Sequence, residues 1–347
     1  MEKKIYLIDF DGTIIVGDSL IKFSYFSIGI FQFFKYWVLV TILIPFYSKS
    51  DLKQMFYSNF NEFNLNDFNS LCLDFYNQKL RKLIKKSFMD FIKNINEDSK
   101  VVIVSASVSN YLKPLCDEMG FDLIVVTPSP KSSCELSKES FIKFGNVSKA
   151  SEKALFSTVP RIAIDLGINT IFWGENNALQ VGEKTVLGSD EFDANNLRKM
   201  NTISDGGDNW VFDVVGNEKA VHYLYPDQIE FEKKRINIFY LGPAWDDWSN
   251  MNNSTYAALH GLTLRPGEEK ITGDISNASM LDEEFTNINM MLKYYKFGFG
   301  RATDIVNEQI RDGKLTREEG VKLVNQFDGV CDDKIIDSYC KYINIST

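Results

Sequence analysis

A short apolar run near the first residue constrains this chain most. Ile5-Tyr-Leu-Ile leads directly into Asp9, which is followed by Phe-Asp-Gly-Thr-Ile. A run of this kind reads as a buried parallel strand that delivers a side chain at its C-terminal edge, where function gathers in open α/β sheets. Asp9 and Asp11 stand two positions apart just past that strand, so both carboxylates can reach one phosphoryl group. The first would attack phosphorus and the second would protonate the leaving oxygen. Gly12 lets the turn close, and Thr13 offers a hydroxyl and a backbone N–H to hold phosphate. A hard cation with oxygen ligands offsets the repulsion between carboxylates and phosphate, so Mg²⁺ is expected. The plainer reading is a strand that ends in an Asx turn.

The rest of the chain is long enough for a second domain, since 347 residues exceed the roughly 100–200 typical of one. With 44% apolar and 24% charged residues, the composition is that of a folded globular protein. A net charge of −9, with no basic run, argues against nucleic acid as partner, because phosphate backbones demand clustered Lys and Arg. A small molecule is favoured. Five scattered cysteines without a C-x-x-C pair suggest neither a zinc site nor a disulfide framework and fit the cytoplasm. Nothing near Met1 reads as a signal peptide. Between Phe23 and Tyr47 the chain is rich in Phe, Tyr, Ile, Leu and Val, but Gln32 and Lys35 interrupt it and Pro45 closes it. The unbroken run is shorter than the ~20 residues of a spanning helix, so the expectation is a soluble or peripheral protein, with membrane contact of residues 23–47 as the alternative.

Periodicity gives the organisation. From about 19 to 96 apolar residues recur at spacings of three and four, the mark of an all-helical insertion. Val101-Val-Ile-Val reads as a second buried strand, Asn110 to Met119 as a helix stopped by Gly120, and Leu123-Ile-Val-Val as a third strand. A boundary is placed near residue 126. Beyond it come an apolar helix near 159–166, a strand at Thr170-Ile-Phe-Trp, a Gly- and Asp-rich loop over 201–209, and a mostly helical last third with one more strand at Ile236-Asn-Ile-Phe-Tyr-Leu. The fold class is therefore α/β: a Rossmann-like parallel sheet with a helical cap insertion over 1–125, followed by an α/β to mostly helical module over 126–347.

Asp9-Phe-Asp-Gly-Thr resembles the first motif of the haloacid dehalogenase-like phosphatases, and Val101-Val-Ile-Val-Ser-Ala-Ser resembles their second, a strand ending in Ser or Thr. The resemblance makes Ser105 the phosphate-binding hydroxyl; taken alone, a Ser after a strand is a turn or N-cap residue. The helices between the motifs, with Ser-Ala-Ser-x-x-x-Tyr-Leu-Lys-Pro and Glu118-Met-Gly-Phe-Asp, look like the phosphoserine-phosphatase-like subgroup, whose helical cap closes over substrate. Asp18 is then a candidate substrate contact or a solvated turn acid. Such enzymes also use a Lys and a further metal acid. Lys149 or Lys153 stands where the Lys should fall and Glu175 where the acid should fall, giving Asp9, Asp11 and Glu175 as the metal set, with Asp205 and Asp208 as rivals.

From about Val126 onward the chain resembles N-acetyl sugar amidotransferases of surface-glycan and nonulosonic-acid biosynthesis. Ser137-Lys-Glu-Ser-Phe-Ile-Lys-Phe-Gly-Asn, Phe172-Trp-Gly-Glu-Asn-Asn-Ala-Leu, Phe239-Tyr-Leu-Gly, Leu292-Lys-Tyr-Tyr-Lys-Phe-Gly-Phe-Gly-Arg-Ala-Thr-Asp and Glu308-Gln-Ile-Arg-Asp-Gly-Lys-Leu-Thr-Arg-Glu-Glu-Gly carry it. The resemblance implies adenylation of a sugar acetamido oxygen and ammonia from a glutaminase partner. The Ser-Gly-Gly-x-Asp-Ser loop that cradles pyrophosphate in that family does not occur in this chain, so ATP binding is not expected. Glu175, Asn176, Arg301, Asp304 and Arg311 remain as sugar- or nucleotide-binding candidates. Arg301 follows Gly298-Phe-Gly, where a guanidinium can clamp a phosphate or carboxylate; its plain reading is an i,i+3 surface pair with Asp304. Thr316 and Glu319 read as a capping box. Three functions result: a Mg²⁺-dependent hydrolase of a small phosphorylated metabolite or sugar phosphate, an amidotransferase subunit of surface-glycan synthesis, and an inactive fusion that serves only to bind.

Overall fold

The computed structural model describes residues 5–8, 10, 14–15, 19, 22–29, 64–95, 99–105, 107–126, 128–173, 193–244, 248–259, 262, 264–265, 267, 269–279, 281 and 283–346. The fold is α/β, with short parallel sheets and many helices, arranged as two compact units, Met1–Thr127 and Pro128–Thr347.

In the first unit β1 (Ile5–Ile8), β2 (Lys100–Val104) and β3 (Asp122–Ile124) form a parallel sheet in that order. Ile5 pairs with Lys100 and Ile8 with Ile103, while Ile103 pairs with Leu123. Parallel strands need covered faces and hence apolar side chains, and Val101, Val102 and Ile103 are buried accordingly. The third strand is shorter than the apolar run that announces it, for Val125 and Val126 lie past its end and are exposed.

Helices lie between β1 and β2, over 22–29, in α1 (Leu65–Gln78) and in α2 (Lys86–Asn94). Asn64 caps α1, its side chain accepting the Asp67 amide at 2.9 Å. α1 buries Cys72, Phe75 and Tyr76, the i, i+3, i+4 stripe that faces a core. α3 (Ser109–Met119) buries Tyr111, Leu112, Leu115 and Cys116 and ends at Gly120, whose φ of 68° is the left-handed stop that glycine permits. Phe23, Phe75 and Tyr111 pack ring against ring at 5.3–5.4 Å. Each such buried ring contributes about 1.5–3 kcal/mol by area, plus about 0.5–1.5 for the ring geometry. The Lys85 amide donates to the Ile14 carbonyl at 2.9 Å, and Ile15 bridges Ile84 antiparallel, so the start of α2 is tied to the turn after β1.

The second unit opens with α4 (Pro130–Phe144), capped by Ser129, and α5 (Lys149–Leu166). Then β4 (Thr170–Trp173) pairs in parallel with β5 (Asn237–Tyr240), Phe172 facing Phe239. Between them lie α6 (Asn209–Ala220) and α7 (Gln228–Lys234), the latter closed by an Asp227/Glu230 capping box. Ile171, Ile238 and Tyr240 turn into a core with Phe156, Ala163 and Phe231. Phe172 and Phe239 lie on the other face of the sheet, exposed and 6.1 Å apart.

Next come α8 (Asn250–Leu259), α9 (Phe285–Phe297), α10 (Arg301–Arg311), α11 (Arg317–Phe327) and α12 (Asp333–Tyr342). Val147, Ile288, Ile335, Tyr339 and Ile343 share a core. The capping box at Thr316 and Glu319 forms as the sequence indicates.

Two expectations shift. The helix placed near 159–166 begins at Lys149, so Lys149 and Lys153 lie inside it rather than ahead of it. Residues 201–209 are not loop throughout, since Asn201–Ser204 is one helical turn before Gly206 and Gly207 take positive φ. No helix among the described residues is long and apolar enough to cross a membrane; the apolar run after Lys35 lies outside them.

Candidate active site

The parallel register brings two strand ends to one edge of the first sheet. Ile8 and Ile103 are partners; Asp9 follows Ile8 in the chain, and Ser105 comes two positions after Ile103. A turn after β1 is closed by the Ile14 amide donating to the Phe10 carbonyl at 2.9 Å. Asp9, Asp11, Thr13 and Asp18 lie outside the described residues.

Ser105 is half-buried, and its hydroxyl oxygen accepts the Ser107 amide at 3.0 Å. This bond occupies a lone pair and leaves the O–H hydrogen to point elsewhere, which is what an anion-binding hydroxyl requires. α3 starts at once after this loop. Val108 at its N-cap contributes no side-chain bond, so the first amides of α3 receive no cap from that residue.

Behind Ser105 stands a line of hydroxyls. Ser107 Oγ is 3.1 Å from Ser19 Oγ, which is 2.9 Å from Tyr111 Oη. Ser19 and Tyr111 are fully buried. Sequence reasoning assigned no role to Ser19, Ser107 or Tyr111. The available signal was the Ser107 to Tyr111 spacing, one helical turn, within the quoted Ser-Ala-Ser-x-x-x-Tyr motif.

Lys149 and Lys153 are both buried in the second unit. Lys149 Nζ donates to the Asn201 carbonyl at 2.9 Å, lies 3.9 Å from Asp205 Oδ2, and sits 4.8 Å above the Phe144 ring. Burial lowers its pKa, against the pull of Asp205. Lys153 Nζ donates to the Ile203 carbonyl at 2.9 Å and to Asp208 Oδ1 at 2.6 Å. Asp205 and Asp208, the rival metal acids, are thus partners of these lysines. Glu175 and Asn176 lie outside the described residues, and no group of three or more metal-binding side chains occurs among the described ones.

Arg301 opens α10, and its Nη2 donates to Ser279 Oγ. The Arg301–Asp304 pair read from sequence is not what forms, because Asp304 Oδ2 accepts Lys293 Nζ at 2.7 Å. Gly300 does admit a close approach, but by Asp328, which accepts the Gly300 amide at 3.0 Å and the Thr303 amide at 3.1 Å. Arg311 stands in the last turn of α10, where a cation complements the helix dipole.

Residues 6–151 match the family model described as haloacid dehalogenase-like hydrolase. Residues 279–347 match the one described as LPS biosynthesis protein WbpG-like, C-terminal domain. The two matches do not overlap. The hydrolase-like match includes β2, β3 and all of β1 but Ile5, together with Ser105 and the hydroxyl line, and it runs on through α4 to take in Lys149 but not Lys153. The WbpG-like match includes Ser279, α9, Arg301, Asp304 and the capping box. No curated protein matches the chain.

Proposed function

We propose that the chain hydrolyses the phosphate ester of a small metabolite in a Mg²⁺-dependent reaction. Asp9 attacks phosphorus, the ester P–O bond breaks, and the leaving oxygen takes a proton from Asp11. Water then cleaves the Asp9 acyl phosphate, with Asp11 accepting its proton, and releases inorganic phosphate. Ser105 donates its O–H to a phosphoryl oxygen, and Thr13 supplies a second hydroxyl. Asp9 and Asp11 are hard oxygen donors suited to Mg²⁺, which would offset the negative charge of carboxylates and phosphate. The observation that carries this reading is Ser105 at the end of β2, its hydroxyl held by the Ser107 amide, in register with the strand that leads to Asp9 and inside the hydrolase-like match.

Its test is a screen of phosphorylated sugars and amino acids with Mg²⁺ on the whole chain. Asp9→Asn is expected to abolish phosphate release, and Asp11→Asn to lower it ~10²–10⁴-fold. Phosphate release unchanged in Asp9→Asn would end this reading.

The WbpG-like match favours a second reading, that the last part of the chain serves surface-glycan synthesis, binding a sugar or a glutaminase partner. The expected result is that the isolated chain releases no pyrophosphate from ATP, ammonia and an N-acetylated sugar. Sugar-dependent release would put an amidotransferase first. Turnover in neither assay would favour the third reading, a binding module.

A further inference from the structure

We infer that Ser19 and Tyr111 are positioning residues that set the phosphate-binding hydroxyl through Ser107, and so latch the start of the helical insertion to the phosphate end of the site. The inference rests on the phosphohydrolase reading above.

Four groups stand in line. Tyr111 Oη and Ser19 Oγ are 2.9 Å apart, Ser19 Oγ and Ser107 Oγ 3.1 Å, and the Ser107 amide donates to Ser105 Oγ at 3.0 Å. The phenol at the far end is fully buried, its ring packed against Phe23 and Phe75. A ring clamped in this way fixes the position of its hydroxyl, because the phenol moves only with the ring. From there the constraint passes by hydrogen bonds to Ser19 and to the Ser107 side chain. With the Ser107 side chain held, its amide keeps one direction, and the Ser105 oxygen that accepts it keeps one rotamer.

The line also joins segments far apart in sequence. Ser19 is itself helical and stands three positions ahead of the stretch over 22–29, whereas Ser105 and Ser107 lie on the β2–α3 connection and Tyr111 in the first turn of α3. Any displacement of the insertion's first turn therefore pulls on the loop that carries the phosphate hydroxyl. A Ser-x-Ser loop needs no such support to serve as a simple cap for α3, since an ST-type turn forms from local bonds alone. Buried hydroxyl networks of this kind specify one arrangement when every member is satisfied.

The experiment uses the whole chain and Mg²⁺. Turnover of an aryl phosphate and inhibition by inorganic phosphate are measured for the unaltered protein, Tyr111→Phe, Ser19→Ala, the double variant and Ser19→Thr. Tyr111→Phe keeps the clamped ring, and Ser19→Thr keeps the hydroxyl while adding one methyl to a buried site. The expected result is about a tenfold rise in the inhibition constant for phosphate in either single variant, the effect of one hydrogen bond. The double variant should be no worse than the worse single, because both break one line, and Ser19→Thr should regain most of the affinity. Unchanged phosphate inhibition in both singles, or independent effects that multiply in the double, would overturn the inference while the hydrolase reading stands. If the unaltered chain neither turns over the ester nor binds phosphate, the hydrolase reading falls, and the inference with it.

Discussion

Asp328 closes the N-terminus of α10 at a position where Gly300 has no side chain to do so. Its carboxylate accepts the Gly300 and Thr303 amides and the Thr303 hydroxyl, and a Cβ on residue 300 would come within 2.9 Å of Asp328 Oδ1. The cap has been moved from the residue before the helix to one beyond the end of α11. Asp328→Ala should lose about 0.5–2 kcal/mol, the usual range for a missing cap, and Gly300→Ala should lose about 1–3 kcal/mol by overpacking. Gly300→Ser in the Asp328→Ala background should regain stability, because the serine caps locally in the space the carboxylate leaves. Denaturant midpoints decide this. A double variant no more stable than Asp328→Ala alone would remove the capping role.

Lys153 is committed to the Ile203 carbonyl and to Asp208. Removing the ammonium leaves a carbonyl without its donor, which costs about 1–3 kcal/mol when buried. Lys153→Met is therefore expected to lower stability by that order while phosphate release per folded molecule is unchanged. A stably folded Lys153→Met without turnover would place this residue in the catalytic set.

Alkaline pH should weaken the fold through its buried thiols. Burial pushes Cys72 from 9.0 up to about 12 and Cys116 up to about 11. Both states hold these protons below pH 9. Above it the unfolded thiols ionise first, so the unfolded state binds fewer protons and stability falls as pH rises toward the folded values. Lys149 acts in the opposite sense, because its lowered folded pKa lets stability rise with pH toward 10.5. Denaturation from pH 8 to 10.5 under reducing conditions should show a flatter alkaline decline in Cys72→Ala and in Cys116→Ala than in the parent. Parallel slopes would show that these thiols ionise alike in both states.

α8 buries none of its residues, and its start is held by the buried carboxylate of Glu308. Glu308 Oε2 accepts Asn250 Nδ2 at 2.8 Å, and Oε1 accepts the Met251 amide at 3.4 Å. Glu308→Ala should raise amide exchange across α8 by more than it lowers the denaturant midpoint, since local opening needs less free energy than global unfolding. Equal exchange in the two proteins would show that other contacts hold the helix.

Much of this architecture is legible in the chain because it rests on local signals. Val101-Val-Ile-Val reads as a buried strand, Gly120 stops α3, and Thr316 with Glu319 starts α11. The start of α5 was hidden because Lys149 and Lys153 point inward, and lysine ordinarily marks a solvated face. Asp304 chose Lys293 from α9 over its helix neighbour, a choice made by packing. Ser105 is readable from its place after β2, but its supports are not, because Ser19 lies 88 and 92 positions from the hydroxyls it meets.

The register of β1 and β2 bears on how the protein is made. Ile5 has to wait for Lys100 before its strand finds a neighbour, and at synthesis rates of about 5–20 residues per second the interval is roughly 5–20 s. Throughout that time an apolar strand edge is open on the nascent chain, and non-local closure of this kind is slow even after the partner has emerged. The nascent chain is therefore open to aggregation at this strand until β2 emerges, and a chaperone that shields β1 during that interval is expected to raise its yield without altering the finished fold.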